Sequence, residues 1–383
     1  MDLDLSEELI AVRQLAYDFA EKEISPSVAD DDRQHTFRRD IVEKMGALGI
    51  FGCVIPEEYG GTDLGFLALA LISEEVARVH SALRSYIVMQ CSPALTLLHC
   101  GNEEQKRRYI PPLISGETLG CFAITEANAG SDVASMTTRA KKDGSNYLLN
   151  GTKTWITSAT VADTAVVFAY TDKSKGHHGM SVFYVDLNQP GVTRRTLDKL
   201  GAHAAPTGEL VFDDTIIPED CLIGMEGEGF KNCMNHLNHS RLSCAAGAVG
   251  LARAAKETAV AYATQREQFG QKIGEFQMIQ DLIAQMVVHE EAARLLVHRA
   301  AALADQHKPY NLETSIAKYA AAEAAAFNAD TAIKILGAYG YSTEFPAERY
   351  FRDAKFYQIV EGSSNIQKLI IARDALGYKK ANR

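Results

Sequence analysis

Three short segments combine residue types that can do chemistry. In the first, Cys121 to Asp132, a β-prone run carrying Phe122 and Ile124 leads into Thr125, Gly130 and Ser131. Such a small, hydroxylated loop offers backbone N–H groups and hydroxyls to an anionic or heteroaromatic ligand. The second, Gly151 to Ser158, sets the only tryptophan, Trp155, among Thr152, Thr154, Thr157 and Ser158. The third runs Ile359-Val360-Glu361-Gly362-Ser363-Ser364-Asn365. An acid after two β-branched residues and before glycine suits a desolvated pocket, where a carboxylate becomes a stronger base. Taken singly, each has a plain structural reading: a packed tryptophan, a solvated helix end, an ordinary loop.

Other chemistries lack their residues. No G-x-G-x-x-G follows a strand-like run, so a Rossmann dinucleotide site is not expected. There is no phosphate-binding G-x-x-x-x-G-K-[ST] loop and no G-x-S-x-G nucleophile elbow. His236 and His239 have no carboxylate or cysteine to complete a metal set, so no metal is expected. The His177-His178 pair reads as a solvated turn. The net charge of −10 argues against nonspecific attraction to nucleic acid or anionic lipid.

The elements that must position these segments fall into three blocks, read here as 1–118, 119–225 and 226–383. Ser6 reads as an N-cap, with Glu7 and Glu8 at the positive end of the helix dipole. Leu5, Leu9, Val12, Ala16 and Phe19 follow at helical spacing. The turn Pro56 to Gly61 interrupts the helical pattern. From about 119 the chain turns to short apolar runs, such as Thr164 to Tyr170 and Met180 to Val185. Asp143-Gly144 serves as a hairpin signal. This predicts an antiparallel β domain. After Gly224, Gly227 and Gly229 the chain is helical and alanine-rich. Met278, Leu282 and Met286 form one stripe beside Ile279, Ile283 and Val287. So wide an apolar face belongs inside a bundle or at a subunit interface. The fold class is α+β: N-terminal helices, a middle β domain, and a C-terminal four-helix bundle.

The seven cysteines form no C-x-x-C pair and are odd in number, as in a reduced compartment. The acidic start, Met1 to Asp4, lacks the features of a signal or transit peptide. No stretch is apolar for long enough to span a bilayer, so membrane insertion is not expected.

In combination and order, the three segments resemble the acyl-CoA dehydrogenase family, from about residue 5 to residue 380. Ala123 to Glu126 with Gly130-Ser131-Asp132 carries one signature. Gln277 to Asp281 and Arg352-Asp353-Ala354-Lys355 through Glu361-Gly362-Ser363 carry the other. Arg266 to Gly270 followed by Phe276-Gln277 is similar to the family's flavin-diphosphate segment. The resemblance implies FAD, with Phe122, Ile124, Thr125, Gly130 and Ser131 at the flavin or the nearby acyl-CoA. Trp155 is implied against the ring, Thr157 near its reactive nitrogen, and Ser363 and Asn365 among the cofactor contacts. Arg266, Phe269 and Gln277 are implied to reach a neighbouring subunit's flavin, hence a homo-oligomer, usually a tetramer. Glu361 matches the family's base. The alternative base position falls on Ser240, which cannot serve. Asn238, Arg241, Ser131 and Gly362 match substrate-handling positions. Lys334 and Ala338 depart from the family's Gln and Gly, and Ser363 stands for its Thr. Electron-transfer flavoprotein is the implied acceptor, and a bacterial cytoplasm the implied location.

Arg84-Ser85 resembles the substrate-pocket helix of the glutaryl-CoA dehydrogenases, where the Arg pairs with a distal carboxylate. Val88, however, replaces a polar residue of those enzymes, and an apolar wall weakens a carboxylate site. The sequence reading therefore favours a compact neutral acyl-CoA such as cyclohexanecarboxyl-CoA, with glutaryl-CoA as the alternative. An acyl-CoA oxidase and a non-catalytic, flavin-bearing interaction protein are the rival classes; retention of Glu361 argues against the latter.

Overall fold

The computed structural model describes residues 5–378, so the acidic start Met1 to Asp4 lies outside the described residues. Helix α1 (Glu7–Phe19) begins where Ser6 accepts the Leu9 N–H at 3.2 Å, and it buries Ala16 and Phe19. Helices α2 (Val28–Gln34), α3 (Arg39–Ala47), α4 (Gly65–Val79), α5 (Ser81–Cys100) and α6 (Glu103–Ile114) complete the first block. His80 in extended conformation is the only break between α4 and α5. Helix α5 is buried from Ser81 to Leu97, so its polar residues sit inside the protein.

The middle block is one seven-stranded sheet. Its strands are β1 (Gly120–Ala123), β2 (Arg139–Asp143), β3 (Asn146–Thr157), β4 (Thr164–Tyr170), β5 (Met180–Asp186), β6 (Val192–Thr196) and β7 (Thr207–Pro218). The Asp143-Gly144 signal makes the β2–β3 hairpin, with Gly144 at φ 59°. The β2–β3, β3–β7, β4–β5 and β6–β7 ladders are antiparallel, as expected. The β1–β4 ladder is parallel, and β2 meets β4 in parallel at Arg139 and Tyr170. Local alternation could not show this, because these strands are not joined by a hairpin.

Helix α7 (Gly229–Ala263) follows, then a two-stranded hairpin of β8 (Glu267–Gln268) and β9 (Gln271–Lys272). Helices α8 (Gln277–Asp305) and α9 (Asn311–Leu336) pack on α7, as does α4. The short α10 (Ala338–Tyr341), α11 (Ala347–Tyr357) and α12 (Ser364–Ala375) close the chain. Small residues of α7 and α9, from Ala245 and Ala252 to Ala321 and Ala329, form the second core. On the wide face of α8, Met286 is buried while Met278, Val287 and Val288 are exposed.

Candidate active site

Two backbone irregularities aim the site. Strand β3 shifts register between Lys153 and Ile156, and Trp155 adopts a left-handed φ of 58° inside that bulge. For a bulky side chain this is a strained conformation, and it turns the indole out of the sheet, leaving it 57% exposed. Glu361 also has a left-handed φ, 55°, followed by Gly362 at 84°. Phe269, at the tip of the β8–β9 turn, shares the feature at 55°. Three residues chosen from sequence for their chemistry therefore sit on strained backbone.

The loop after β1 and the bulge of β3 are fastened together from beneath. Thr154 N–H donates to the Thr125 carbonyl at 2.9 Å. Lys153, wholly buried, donates to the Ile124 carbonyl at 3.0 Å and to Glu126 Oε1 at 2.9 Å. Glu126 also accepts the N–H groups of Thr137 and Thr138 and the Thr137 hydroxyl. Burial pushes the Glu126 carboxyl up, but Lys153 and these hydrogen bonds outweigh it and hold it at about 2. Sequence reasoning passed over this pair, although both residues lie within the segments it chose.

Glu361 projects from the loop between α11 and α12. That loop is tied by Ser364 N–H to the Gln358 carbonyl at 2.9 Å and by Gln367 Nε2 to the Gly362 carbonyl at 2.8 Å. Arg241 Nε donates to the Glu361 carbonyl at 3.1 Å, and the Ser240 hydroxyl donates to Glu361 Oε2 at 2.5 Å. The Glu361 N–H has no partner among the described residues. Glu361 is half-buried rather than enclosed. Ser363 caps α12, accepting from Ile366 N–H at 3.5 Å.

A cavity of about 510 Å³ joins these parts. It brings together Arg84, Ser85, Val88, Phe122, Ile124, Thr125, Gly130, Ser131, Trp155, Thr157, Arg241, Glu361, Gly362 and Ser363. Asn238 stands just behind, accepting from Arg241 at 3.3 Å. Four sequence-chosen residues lie apart from it: Asn365, exposed on α12, and Arg266, Phe269 and Gln277, all exposed at the β8–β9 hairpin and the start of α8. Lys334 pairs with Asp330, and Ala338 is exposed. A second cavity of about 510 Å³, between α2 and α11, is lined by Arg352 of the signature segment but by none of the residues chosen for cofactor, substrate or catalysis.

Arg84 stands at one wall of the first cavity. It is 1% exposed, its Nε is unpartnered, and it makes no ion pair among the described residues. It lies over the Tyr357 ring at 5.1 Å. Lys318, also 1% exposed, has an unpartnered Nζ near Glu361 and Arg241. Neither Tyr357 nor Lys318 had a sequence signal, since both lie in regular helices.

The fold and this cavity define a flavoenzyme scaffold of three parts. Residues 6–117, 121–215 and 227–376 match the N-terminal, middle and C-terminal domains of acyl-CoA dehydrogenase. The chain belongs to the acyl-CoA dehydrogenase family, and it is an FAD-dependent oxidoreductase. It is 49% identical to glutaryl-CoA dehydrogenase of Desulfococcus multivorans, covering 100% of both chains. It is 42% identical to the mitochondrial short-chain specific acyl-CoA dehydrogenase of Mus musculus, over 97% of this chain and 90% of the other. A solved glutaryl-CoA dehydrogenase–glutaryl-CoA complex superposes with a TM-score of 0.97 at 48% identity, covering 100% of this chain and 98% of the other.

The residues present fit FAD. Trp155 offers an exposed indole, Thr125, Ser131 and Thr157 offer hydroxyls at the cavity, and a Cβ built on Gly130 would meet nothing within 4 Å.

Proposed function

We propose that the chain dehydrogenates glutaryl-CoA between its α- and β-carbons, with Glu361 as base and Arg84 binding the distal carboxylate. The observation that carries this is Arg84: a guanidinium buried at the cavity wall with no anionic partner in the described residues. Such a charge is costly unless a ligand supplies the counter-charge. The sequence reading favoured a neutral ring because of Val88. Val88 does line the cavity, at 4% exposure, but an apolar neighbour strengthens an ion pair formed beside it. The similarity to glutaryl-CoA dehydrogenases supports the same reading.

Glu361 removes the proton next to the thioester carbonyl. Ser240 and Arg241 fix the carboxylate and its backbone, and the free Glu361 N–H is available to the carbonyl oxygen as negative charge develops there. FAD, when bound, accepts hydride from the neighbouring carbon. Phe122, Ile124, Thr125, Gly130, Ser131, Trp155, Thr157 and Ser363 hold the cofactor in this reading, with Asn365 nearby. Gly362, Ser85 and Val88 shape the acyl pocket, while Asn238 and Arg241 serve the CoA side. Arg266, Phe269 and Gln277, exposed and remote in one chain, serve a neighbouring subunit's cofactor. That arrangement makes the enzyme an oligomer, with a tetramer expected. Electron-transfer flavoprotein is the acceptor and the bacterial cytoplasm the location, both carried by the family resemblance.

Anaerobic titration with glutaryl-CoA, butyryl-CoA and cyclohexanecarboxyl-CoA tests the substrate. Glutaryl-CoA should bleach the flavin at the lowest concentration, and Arg84→Met should lower its kcat/KM about 100-fold relative to butyryl-CoA. A wild type that prefers the neutral ring, with Arg84→Met acting equally on all three, would return the assignment to cyclohexanecarboxyl-CoA.

A further inference from the structure

Helix α7 lines the cavity through Met234, Leu237 and Arg241, and carries Ser240, Cys244 and Gly247 at helical spacing of four and three on one face. Ser240 and Arg241 hold Glu361. Cys244 has Arg84 and Lys318 as charged neighbours. A Cβ built on Gly247 would lie 2.7 Å from Arg84 Nε, 3.0 Å from Arg84 Cδ and 2.9 Å from the Tyr357 hydroxyl. A real Cβ essentially never approaches other heavy atoms below 3.0 Å, and two of the three atoms met, Nε and Cδ, are the middle of the buried Arg84 side chain; the third is the Tyr357 hydroxyl. Gly247 does not have a left-handed φ, so its lack of a side chain serves space rather than backbone freedom. The space is filled by Arg84 Cδ and Nε and by the Tyr357 hydroxyl, and the guanidinium carbon lies over the Tyr357 ring. The Tyr357 hydroxyl, also unpartnered, stands beside the guanidinium.

We propose that Gly247 and Tyr357 determine acyl specificity by forming the seat that fixes the Arg84 guanidinium at the cavity wall. Any side chain at position 247 displaces the Arg84 stem, so the cation no longer meets a carboxylate at the far end of the acyl chain. The proposal rests on the reading of Arg84 as the carboxylate-binding residue. It adds that α7, which also holds the base, sets what the pocket accepts at its other end.

The experiment compares the kcat/KM ratio of glutaryl-CoA to butyryl-CoA in FAD-loaded wild type, Arg84→Met, Gly247→Ala, Tyr357→Phe and the Arg84→Met/Gly247→Ala double variant. Gly247→Ala should lower the ratio about tenfold, Tyr357→Phe about threefold, and the double variant no further than Arg84→Met alone. An unchanged ratio in Gly247→Ala, with Arg84→Met still abolishing the preference, overturns the seat and leaves the substrate reading standing. A wild type without preference and an Arg84→Met variant without effect overturn both. If Gly247→Ala fails to retain FAD, Tyr357→Phe decides: an unchanged ratio there overturns the seat.

Discussion

Two buried cations behave in opposite ways. Lys153, under the bulge of β3, meets Glu126 at 2.9 Å and the Ile124 carbonyl at 3.0 Å. Arg84, in α5, is equally hidden but has no carboxylate beside it among the described residues. A buried charge with its counter-ion in place fastens structure, and one without is costly to the free protein. Lys153 therefore holds the loop after β1 to the Trp155 bulge, while the charge of Arg84 is left for a ligand to balance under the proposed glutaryl-CoA reading.

The largest expected effect tests whether Glu361 is the hidden partner of Arg84. Glu361→Gln should lower kcat about 10³-fold, since no other group is placed to take the proton. If Arg84 is truly unpaired in the free enzyme, the same variant should keep wild-type thermal stability and FAD content. A large fall in Tm would show that Glu361 already balances Arg84, and the contrast with Lys153 would collapse.

Lys153→Met comes next. It strands the Glu126 carboxylate in a dry site, at a cost of about 3–5 kcal/mol, visible in the urea midpoint. Because Lys153 also ties the Ile124 carbonyl, the variant should lose FAD more readily on dilution. A midpoint within experimental error of wild type would remove the fastening role.

Arg84→Met should do the reverse in the free protein. Replacing an uncompensated buried guanidinium by an apolar side chain should leave the urea midpoint unchanged or raise stability by about 1 kcal/mol. Stabilisation by added glutaryl-CoA should disappear in the same variant. Destabilisation by several kcal/mol would mean that Arg84 packs as structure, as Lys153 does.

The two cations also differ in how far the sequence disclosed them. Arg84 stood out through its motif-like neighbour Ser85, but its burial and the absence of a counter-ion, which bear on the substrate as much as Val88 does, are tertiary facts that the sequence does not carry. Lys153 was visible only as a member of a hydroxyl-rich strand, since Glu126 lies 27 residues away. Glu361 and Trp155 were legible because their segments break regular patterns with glycine and hydroxyl residues, and both proved to have left-handed backbone. Gly247 and Tyr357 were not legible, because a small residue and an aromatic in regular helices are ordinary core by every local measure. The helical–β–helical order could be read from periodicity. The parallel β1–β4 pairing could not, because it joins strands about 40 residues apart.

The smallest effect concerns acid, and it belongs to the paired cation alone. Glu126 is held at about 2 in the folded protein against an ordinary value of 4.5. A carboxyl depressed by folding contributes stability that is fully present above its unfolded value and is lost as pH falls towards its folded one. The window therefore runs from about pH 4.5 down to about pH 2. Other carboxylates titrate in the same range, so the wild-type curve by itself does not isolate the pair. The difference between wild type and Lys153→Met does. Without the ammonium, burial dominates at Glu126, its carboxyl is pushed up, and the variant regains stability by protonating it. The Tm gap between the two proteins should thus be widest near about pH 6 and shrink as pH falls towards about 4, equivalent to about 1 kcal/mol or more over that range. For Arg84→Met, which removes a cation with no carboxylate partner, the gap to wild type should stay level over the same pH range. A gap that narrows equally for both variants would mean that general acid sensitivity, and not the Glu126–Lys153 pair, governs the change.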